Sequence, residues 1–290
     1  MSKKVITDTT IKEFCFWLYE NEKSPETIKK YTYCLLQLKK FLGEKGICKK
    51  EAIAWKNELE KQFSPATVNG ALAALNSLCR YKGWEDCKIK FVRIRRRIFC
   101  SEQKELSRED YRRLIITAEQ TGNERLALLL QTVCSTGIRI SELSYITIEA
   151  VEKGMTQIDC KGTVRTIFLT EKLCRLLSIY AEKKGILSGM IFITRTGKAL
   201  DRSNIWREMK KVGEMAGIKK EKVFPHNLRH LFARSYYNQE KDILRLADIL
   251  GHSSINTTRI YTMESGKSHI RQLEQLGLLI EDYNRISLLW

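Results

Sequence analysis

Several short segments of the chain place histidine, arginine and tyrosine where they could act on a phosphate group. In the first, His226-Asn227-Leu228-Arg229, the histidine and the arginine are three residues apart and so share one face of a helix. Pro225 predicts that His226 lies in the first helical turn, where backbone N–H groups can bind an anion. An arginine guanidinium can bind two phosphate oxygens at once. The pair is therefore a candidate phosphate site, and two ordinary surface side chains are the alternative.

A second segment carries another histidine and a candidate nucleophile. Gly251 predicts the end of a helix, so His252 should begin a new segment, and Tyr261 follows nine residues later. A tyrosine phenolate can attack phosphorus and can leave again in the reverse step. The alternative for Tyr261 is a buried side chain with a hydrogen-bonded hydroxyl.

Two more cationic side chains lie upstream of these segments. Gly137 should end a helix, and Arg139 should stand where the next one begins. Glu142, three residues further on, could hold the Arg139 guanidinium in place. Lys161 is predicted in the turn of a β-hairpin over residues 155–169, where it could deliver a proton. A surface Arg–Glu pair and an ordinary turn lysine are the alternatives.

In this order the residues resemble the catalytic set of the tyrosine recombinases, also called the phage integrase family. The set is Arg139, Lys161, His226, Arg229, His252 and Tyr261. The resemblance covers about residues 10–280 and rests on four strings: Thr136-Gly137-Ile138-Arg139-Ile140-Ser141-Glu142-Leu143, His226-Asn227-Leu228-Arg229-His230, Leu250-Gly251-His252-Ser253-Ser254 and Thr257-Thr258-Arg259-Ile260-Tyr261.

The resemblance implies a covalent mechanism of DNA cleavage. Arg139 and Arg229 would bind the non-bridging oxygens of the scissile phosphate and stabilise the charge of the transition state. Tyr261 would attack in line and form a 3′-phosphotyrosine, which leaves a free 5′-hydroxyl. Because this link conserves the bond energy, no ATP is needed.

The resemblance also assigns roles to the remaining residues of the set. His226 would accept the tyrosine proton or act as an orienting donor, and Lys161 would protonate the departing 5′ oxygen. His252 would donate a hydrogen bond to the phosphate. No cofactor and no metal ion are expected, because two fixed arginines can replace a metal and no carboxylate cluster suited to Mg²⁺ is evident. His230 and His269 are assigned no chemistry, since His230 is not expected to share the face of His226 and Arg229. His230 is instead expected to pack against or support the site.

The partner implied by the resemblance is double-stranded DNA with a specific recombination site. Two rounds of strand exchange would pass through a Holliday junction, worked by a homotetramer on two sites, with a monomer or dimer as the open alternatives off DNA. The outcome would be integration, excision, inversion or resolution. The helical N-terminal unit and the catalytic domain would form a C-shaped clamp around the duplex.

The elements that must position these residues form two predicted domains, in a mainly α fold with a small β-hairpin. Residues 1–85 predict an all-helical core-DNA-binding domain, because apolar side chains recur at helical spacing after the starts at Ser24-Pro25 and Ser64-Pro65. Residues 106–290 predict the catalytic domain, with a capping box at Ser107. Its C-terminal helix, about 268–280, should dock on a neighbouring subunit, or else within its own chain.

Residues 86–105 lose periodicity and predict a basic linker between the domains. They hold the densest charge run of the chain, with Arg93, Arg95, Arg96 and Arg97. The run would lie on DNA phosphates, and a solvated connector is the alternative.

The composition agrees with a polyanion partner and excludes some classes of protein. The 290 residues carry a net charge of +17. No pair among the nine cysteines has the spacing of a structural zinc site. No apolar run is long enough to cross a bilayer, and no secretory signal is evident, so we expect a bacterial protein of the cytoplasm.

The chain begins directly with the helical unit, so we expect no arm-site-binding domain like that of lambda integrase. In size it resembles the Xer proteins, integron integrases and small DNA invertases. Two alternatives stay open. A type IB topoisomerase shares the chemistry but relaxes DNA without exchanging partners, and a helical DNA-binding regulator would explain the charge but not the ordered residues.

Overall fold

The fold is that of a computed structural model, which describes residues 4–94, 104–160, 163–252, 254–261, 270 and 273–278. The chain forms two compact units, Met1–Arg96 and Arg97–Trp290. The division predicted from the sequence, with a linker at 86–105, stays a prediction. Within the described ranges, no helix is both long and apolar enough to cross a membrane.

Residues 4–94 of the first unit form a bundle of four helices. They are α1 (Asp8–Glu20), α2 (Pro25–Leu42), α3 (Lys49–Gln62) and α4 (Pro65–Lys82), followed by a short 3₁₀ turn at Glu85–Cys87. Both Ser-Pro starts are observed: Ser24 caps α2 and Ser64 caps α4 through the hydroxyl, with proline in the first turn.

Apolar side chains of all four helices fill the core of this unit. The buried set includes Phe14, Leu18, Leu35, Leu38, Trp55, Leu72, Leu75 and Leu78. On α3 the buried residues are Ala52 and Trp55, whereas Ile53 is exposed. Two asparagines of α4 then hold the following chain, because the Asn76 and Asn69 amides exchange hydrogen bonds with the backbones of Ile89 and Val92.

The second unit contains eight helices and one hairpin among its described residues. The helices are α5 (Arg108–Gln120), α6 (Glu124–Thr136), α7 (Ile148–Lys153), α8 (Glu171–Lys184), α9 (Arg202–Met215), α10 (Pro225–Glu240), α11 (Ile243–Leu250) and α12 (Ile255–Thr258), and 3₁₀ turns lie at Ile140–Tyr145 and Arg259–Tyr261. The predicted capping box forms, since Ser107 and Asp110 each bond the other's backbone N–H.

The hairpin pairs β1 (Met155–Cys160) with β2 (Thr163–Phe168) in antiparallel register, from Met155 opposite Phe168 to Cys160 opposite Thr163. One face is buried and carries Ile158, Arg165 and Ile167, while Val164 and Phe168 are exposed on the other. The core lies around α6, whose leucines pack with side chains of α5, α8, α9 and α10. The predicted mainly helical fold with a small hairpin is confirmed.

Some sequence predictions fall on residues outside the described ranges. These are Lys161, Arg95, Arg96, Arg97 and His269. Of the predicted C-terminal helix, only residue 270 and residues 273–278 are described, and Ile270, Leu273 and Leu276 are exposed there.

Candidate active site

A pocket of about 520 Å³ opens in the second unit, where α9 and α10 face the end of α6. It is lined by Ile138, Arg139, Ile140, Ser141, Arg202, Ser203, Trp206, Phe224, Pro225, His226 and Arg229. Three of the predicted catalytic residues, Arg139, His226 and Arg229, therefore line one cavity. Two more predicted catalytic residues, His252 and Tyr261, do not line the cavity but contact Arg229.

Helix α10 brings His226 and Arg229 to the pocket. It starts at Pro225, as predicted, and the two side chains lie one turn apart. Arg229 is only 2% exposed. Its Nη1 donates to the Gly137 carbonyl and its Nη2 to the Leu250 carbonyl, both at 2.5 Å. The guanidinium is thus fixed between the C-terminal ends of α6 and α11, whose last carbonyls have no partner within their helices.

Gly137 makes this approach of Arg229 possible. It ends α6 in the left-handed conformation, with φ of +67°. A Cβ atom there would lie 2.4 Å from Cδ1 of Phe232 on α10. The position therefore requires glycine both for its backbone conformation and for the close packing of α10.

Arg139 is held by the acid predicted to hold it. The Arg139 Nη1 and the Arg139 backbone N–H each donate to a different Glu142 oxygen, both at 2.7 Å. Glu142 is 3% exposed, so the alternative of a plain surface pair is wrong. Burial alone would raise the pKa of Glu142, but hydrogen bonds from Arg139 and the charges of Arg165 and Arg139 lower it below its usual value. Glu142 is therefore an anion that orients a pocket arginine.

The pocket carries a concentrated positive charge. Burial, and then the charges of Arg139 and Arg165, lower the pKa of Arg229 to about 10, so that it stays protonated at neutral pH. Burial first, and then repulsion from the positive charges of Arg229, Arg139 and Arg202, lower the pKa of His226. A site with two fixed guanidinium groups and a neutral imidazole is suited to bind a phosphate anion.

His252 lies directly behind Arg229. Its Nε2 is 3.1 Å from Arg229 Nη2, and its Nδ1 is 2.9 Å from the Thr258 hydroxyl. Because a guanidinium only donates, Nε2 is the acceptor of this pair and Nδ1 carries the proton. Burial and then the charge of Arg229 lower the pKa of His252 to about 4.

Tyr261 closes the 3₁₀ turn after α12 and is 3% exposed. Its ring stacks on His252 at 6.0 Å between centroids and meets the edge of His230 at 4.8 Å. Burial raises the pKa of Tyr261, whereas the charges of Arg229 and Arg139 favour the phenolate. The phenol therefore lies within range of both guanidinium charges, and it is shielded from bulk water.

Two further residues belong to this region. The His230 ring lies 4.5 Å from the His226 ring and packs against Tyr261, in agreement with the expectation that His230 packs against or supports the site. Its spacing of four residues from His226 is a signal of that contact. Arg165 is buried beneath the site and binds Glu142. Alternation along β2 was the available signal, but it does not say which face is inward.

Other predicted site residues belong to the first unit or lie outside the described ranges. Arg93 is exposed in the first unit. Lys161 and the arginines at 95–97 are not among the described residues. In the part of the chain that is described, no group of three or more His, Cys, Asp or Glu side chains is arranged to hold a metal ion.

The sequence is similar to those of known recombinases. Residues 104–267 match the model of the phage integrase family. The tyrosine recombinase XerA of Pyrococcus furiosus is 31% identical over 97% of this chain and 98% of its own length. The tyrosine recombinase XerD of Staphylococcus aureus is 34% identical over 50% of this chain and 52% of its own length.

Solved structures have a similar fold. The crystal structure of XerA recombinase is 25% identical, with a TM-score of 0.52, and covers 95% of this chain and 100% of that one. A lambda integrase tetramer bound to a Holliday junction is 18% identical, with a TM-score of 0.71, and covers 87% of this chain and 76% of that one. XerH bound to a palindromic difH substrate is 20% identical, with a TM-score of 0.69, and the match covers 96% of this chain and 90% of that one.

The chain therefore belongs to the phage integrase family and is a tyrosine site-specific recombinase, an enzyme that breaks and rejoins DNA strands. The family, fold and activity predicted from the sequence are confirmed. A type IB topoisomerase and a non-catalytic DNA-binding regulator are not favoured.

Proposed function

We propose that Tyr261 is the nucleophile of strand cleavage and that Arg139 and Arg229 bind the scissile phosphate. The observation behind the proposal is that the buried Tyr261 phenol lies close to the Arg229 guanidinium, and that Arg229 and Arg139 line one pocket. The phenolate attacks phosphorus, the bond to the 5′ oxygen breaks, and a 3′-phosphotyrosine forms. The two cations stabilise the charge that develops on the non-bridging oxygens.

The proton transfers are assigned to His226 and Lys161. His226 has a lowered pKa and is neutral at pH 7, so it can accept the Tyr261 proton or orient the phosphate. Lys161 protonates the departing 5′ oxygen. In the free protein His252 supports the phosphate site through Arg229, from which its Nε2 accepts a hydrogen bond. To donate to a phosphate oxygen once DNA is bound, the ring changes tautomer, so that Nε2 carries the proton and Nδ1 accepts from the Thr258 hydroxyl.

The substrate is double-stranded DNA with a specific recombination site. Support comes from the net charge of +17 and from structures of similar fold that contain DNA, among them a XerH–difH complex and a lambda integrase tetramer on a Holliday junction. We propose that this chain also works as a homotetramer on two sites, in the cytoplasm. The exposed apolar residues Ile270, Leu273 and Leu276 of the C-terminal helix would dock on a neighbouring subunit.

The first unit would bind the core DNA site, and the basic run at Arg93, Arg95, Arg96 and Arg97 would lie on phosphates. This follows the predicted division into a helical domain at 1–85, a linker at 86–105 and a catalytic domain at 106–290. The exposure of Arg93 supports a role in contact with DNA.

The role of Tyr261 is tested with a nicked DNA duplex, which traps the covalent protein–DNA product of cleavage. The duplex is first selected from a randomised library by covalent capture on the wild-type protein. Wild type should form a protein–DNA band stable to denaturation, and Tyr261→Phe should bind the same duplex without forming the band. A covalent band of wild-type intensity from Tyr261→Phe rejects the nucleophile.

A substrate with sulfur in place of the bridging 5′ oxygen tests Lys161 separately. A thiolate leaves without protonation, so Lys161→Ala should be slow on the oxygen substrate and recover on the sulfur substrate. Arg139→Ala, which no longer binds a phosphate oxygen, should remain slow on both. Equal defects of Lys161→Ala on both substrates would argue against its role as the acid.

A further inference from the structure

The Glu142 carboxylate binds two guanidinium groups at once. Its Oε1 accepts a hydrogen bond from Arg139 Nη1 at 2.7 Å, and its Oε2 accepts from Arg165 Nη2. Glu142 and Arg165 are 3% and 7% exposed, so protein groups rather than bulk water hold the carboxylate. One buried anion therefore joins Arg165 to Arg139, which lines the pocket.

A second bridge joins Arg165 to the other arginine of the pocket. Arg165 Nη1 donates to the Leu250 carbonyl at 2.5 Å and to the Ile249 carbonyl at 3.1 Å. Arg229 Nη2 donates to the same Leu250 oxygen, also at 2.5 Å. Carbonyl groups at the C-terminus of a helix lack partners and carry partial negative charge, which suits two cations. The end of α11 thus links the two guanidinium groups.

Arg165 reaches these partners from β2 without entering the pocket. It sits opposite Ile158 on the buried face of the hairpin. It crosses the backbone at Gly251, where a Cβ atom would lie 2.6 Å from Arg165 Cδ. The described residues that line the pocket do not include Arg165. Arg165 therefore contacts the pocket indirectly, through Glu142 and the end of α11, which bind Arg139 and Arg229.

We propose that Arg165 is a positioning residue for strand cleavage, which fixes the spacing of the Arg139 and Arg229 guanidinium groups through Glu142 and the end of α11. The inference rests on the proposed roles of those two arginines. A planar fork with several donors can bridge a carboxylate and two carbonyls, whereas a lysine ammonium cannot hold the same geometry. Spacing matters because a misplacement of about 1 Å at a catalytic centre costs about 10²-fold in rate.

The first test measures binding and cleavage separately in Arg165→Met, which removes both bridges and keeps most of the side-chain volume. With the selected nicked duplex, we expect DNA binding within about threefold of wild type and single-turnover cleavage slower by about 10²-fold. Arg175→Met is the matched control, because Arg175 is exposed on α8 in the same unit, and it should cleave at the wild-type rate.

A double-mutant cycle separates positioning from a general structural role. If Arg165 acts through Arg139, Arg165→Met should add little to the defect of Arg139→Ala, about threefold or less. If Arg165→Met instead weakened the fold in general, the rate defects of the two single variants would multiply in the double variant. Multiplicative defects would overturn the proposal.

Folding is checked by thermal melting of each variant. Should Arg165→Met not fold at the assay temperature, Arg165→Lys, which keeps the buried charge, takes its place and should still cleave slowly. Wild-type cleavage by a folded variant overturns the proposal, and so does unfolding of both variants, since Arg165 then supports the fold alone. By contrast, a wild-type protein that captures no member of the library rejects the proposed function itself.

Discussion

Tyr261 and its neighbours illustrate what single residues contribute to this enzyme. The phenol is buried against His252 and His230, and it lies near two guanidinium groups that favour its ionised form. Burial keeps this proposed nucleophile protonated and shielded from water in the free protein. The charges of Arg229 and Arg139 reduce the cost of forming the phenolate at that moment.

The histidines of the site make stability depend on pH. Burial first, and then nearby positive charge, lower the pKa of His230 to about 4, against a value near 6.5 in the unfolded chain. Between these values the unfolded state binds the proton first, so stability is complete above pH 6.5 and falls as pH drops towards 4. Wild type should therefore lose stability between pH 7 and pH 5.

His230→Phe keeps an aromatic ring and removes this proton. Its unfolding free energy should fall less between pH 7 and pH 5 than that of wild type, by about 1 kcal/mol for a partly exposed ring. Urea denaturation at the two pH values measures the difference, and contributions from carboxylates cancel in the comparison. An identical fall in the two proteins would contradict the neutral state of the partly buried His230.

At the scale of elements, the ends of α6 and α11 do more than terminate helices. Arg229 donates to the carbonyl of Gly137, which follows α6, and to that of Leu250, the last residue of α11. Gly137 and Gly251 also allow α10 and β2, respectively, to approach closely. Substitution of Gly137 should therefore damage both the fold and the site. In Gly137→Ala the new Cβ would lie 2.4 Å from the Phe232 ring, in a left-handed backbone conformation.

Gly122→Ala is a matched control for this prediction. Gly122 also has a positive φ, +72°, but a Cβ there would meet no atom within 4 Å. We expect Gly122→Ala to cost about 1 kcal/mol from backbone strain alone, and Gly137→Ala to cost at least about 2 kcal/mol more. Denaturation midpoints measure the costs, and equal midpoints for the two variants would contradict the packing described at Gly137.

The same elements show how far the sequence could predict the site. Pro225 and the spacing of His226 and Arg229 identified the start of α10 and the shared face correctly, because both signals are local. Arg165 could not be found this way. Strand alternation allows two buried faces for β2, one with Arg165, Ile167 and Leu169 and the other with Val164 and Phe168. Because an arginine is seldom buried, the second face would have been preferred. Only the tertiary contact with Glu142 decides between them.

At the scale of the whole molecule, positive charge dominates. With a net charge of +17, DNA binding should release many counterions, so its affinity should fall steeply and linearly in log–log form as salt rises. Replacing Arg93, Arg95, Arg96 and Arg97 by alanine should reduce that slope by about 1 for each phosphate that the protein no longer neutralises.

The matched control removes the same charge from α8, through alanine at Lys172, Arg175, Lys183 and Lys184, which are all exposed. It should leave the slope closer to that of wild type. Titrations with a labelled duplex at several salt concentrations give the slopes. Equal slopes for both variants would argue against a phosphate-binding role of the basic linker.

The role of Tyr261 as nucleophile is tested most directly by identifying the residue that becomes covalently linked to DNA. Wild-type protein is trapped on the nicked duplex, digested with protease and nuclease, and the peptide that carries a nucleotide is sequenced by mass spectrometry. We expect one modified peptide, with a 3′-phosphonucleotide on Tyr261. A nucleotide on any other tyrosine, or on a serine, would contradict it.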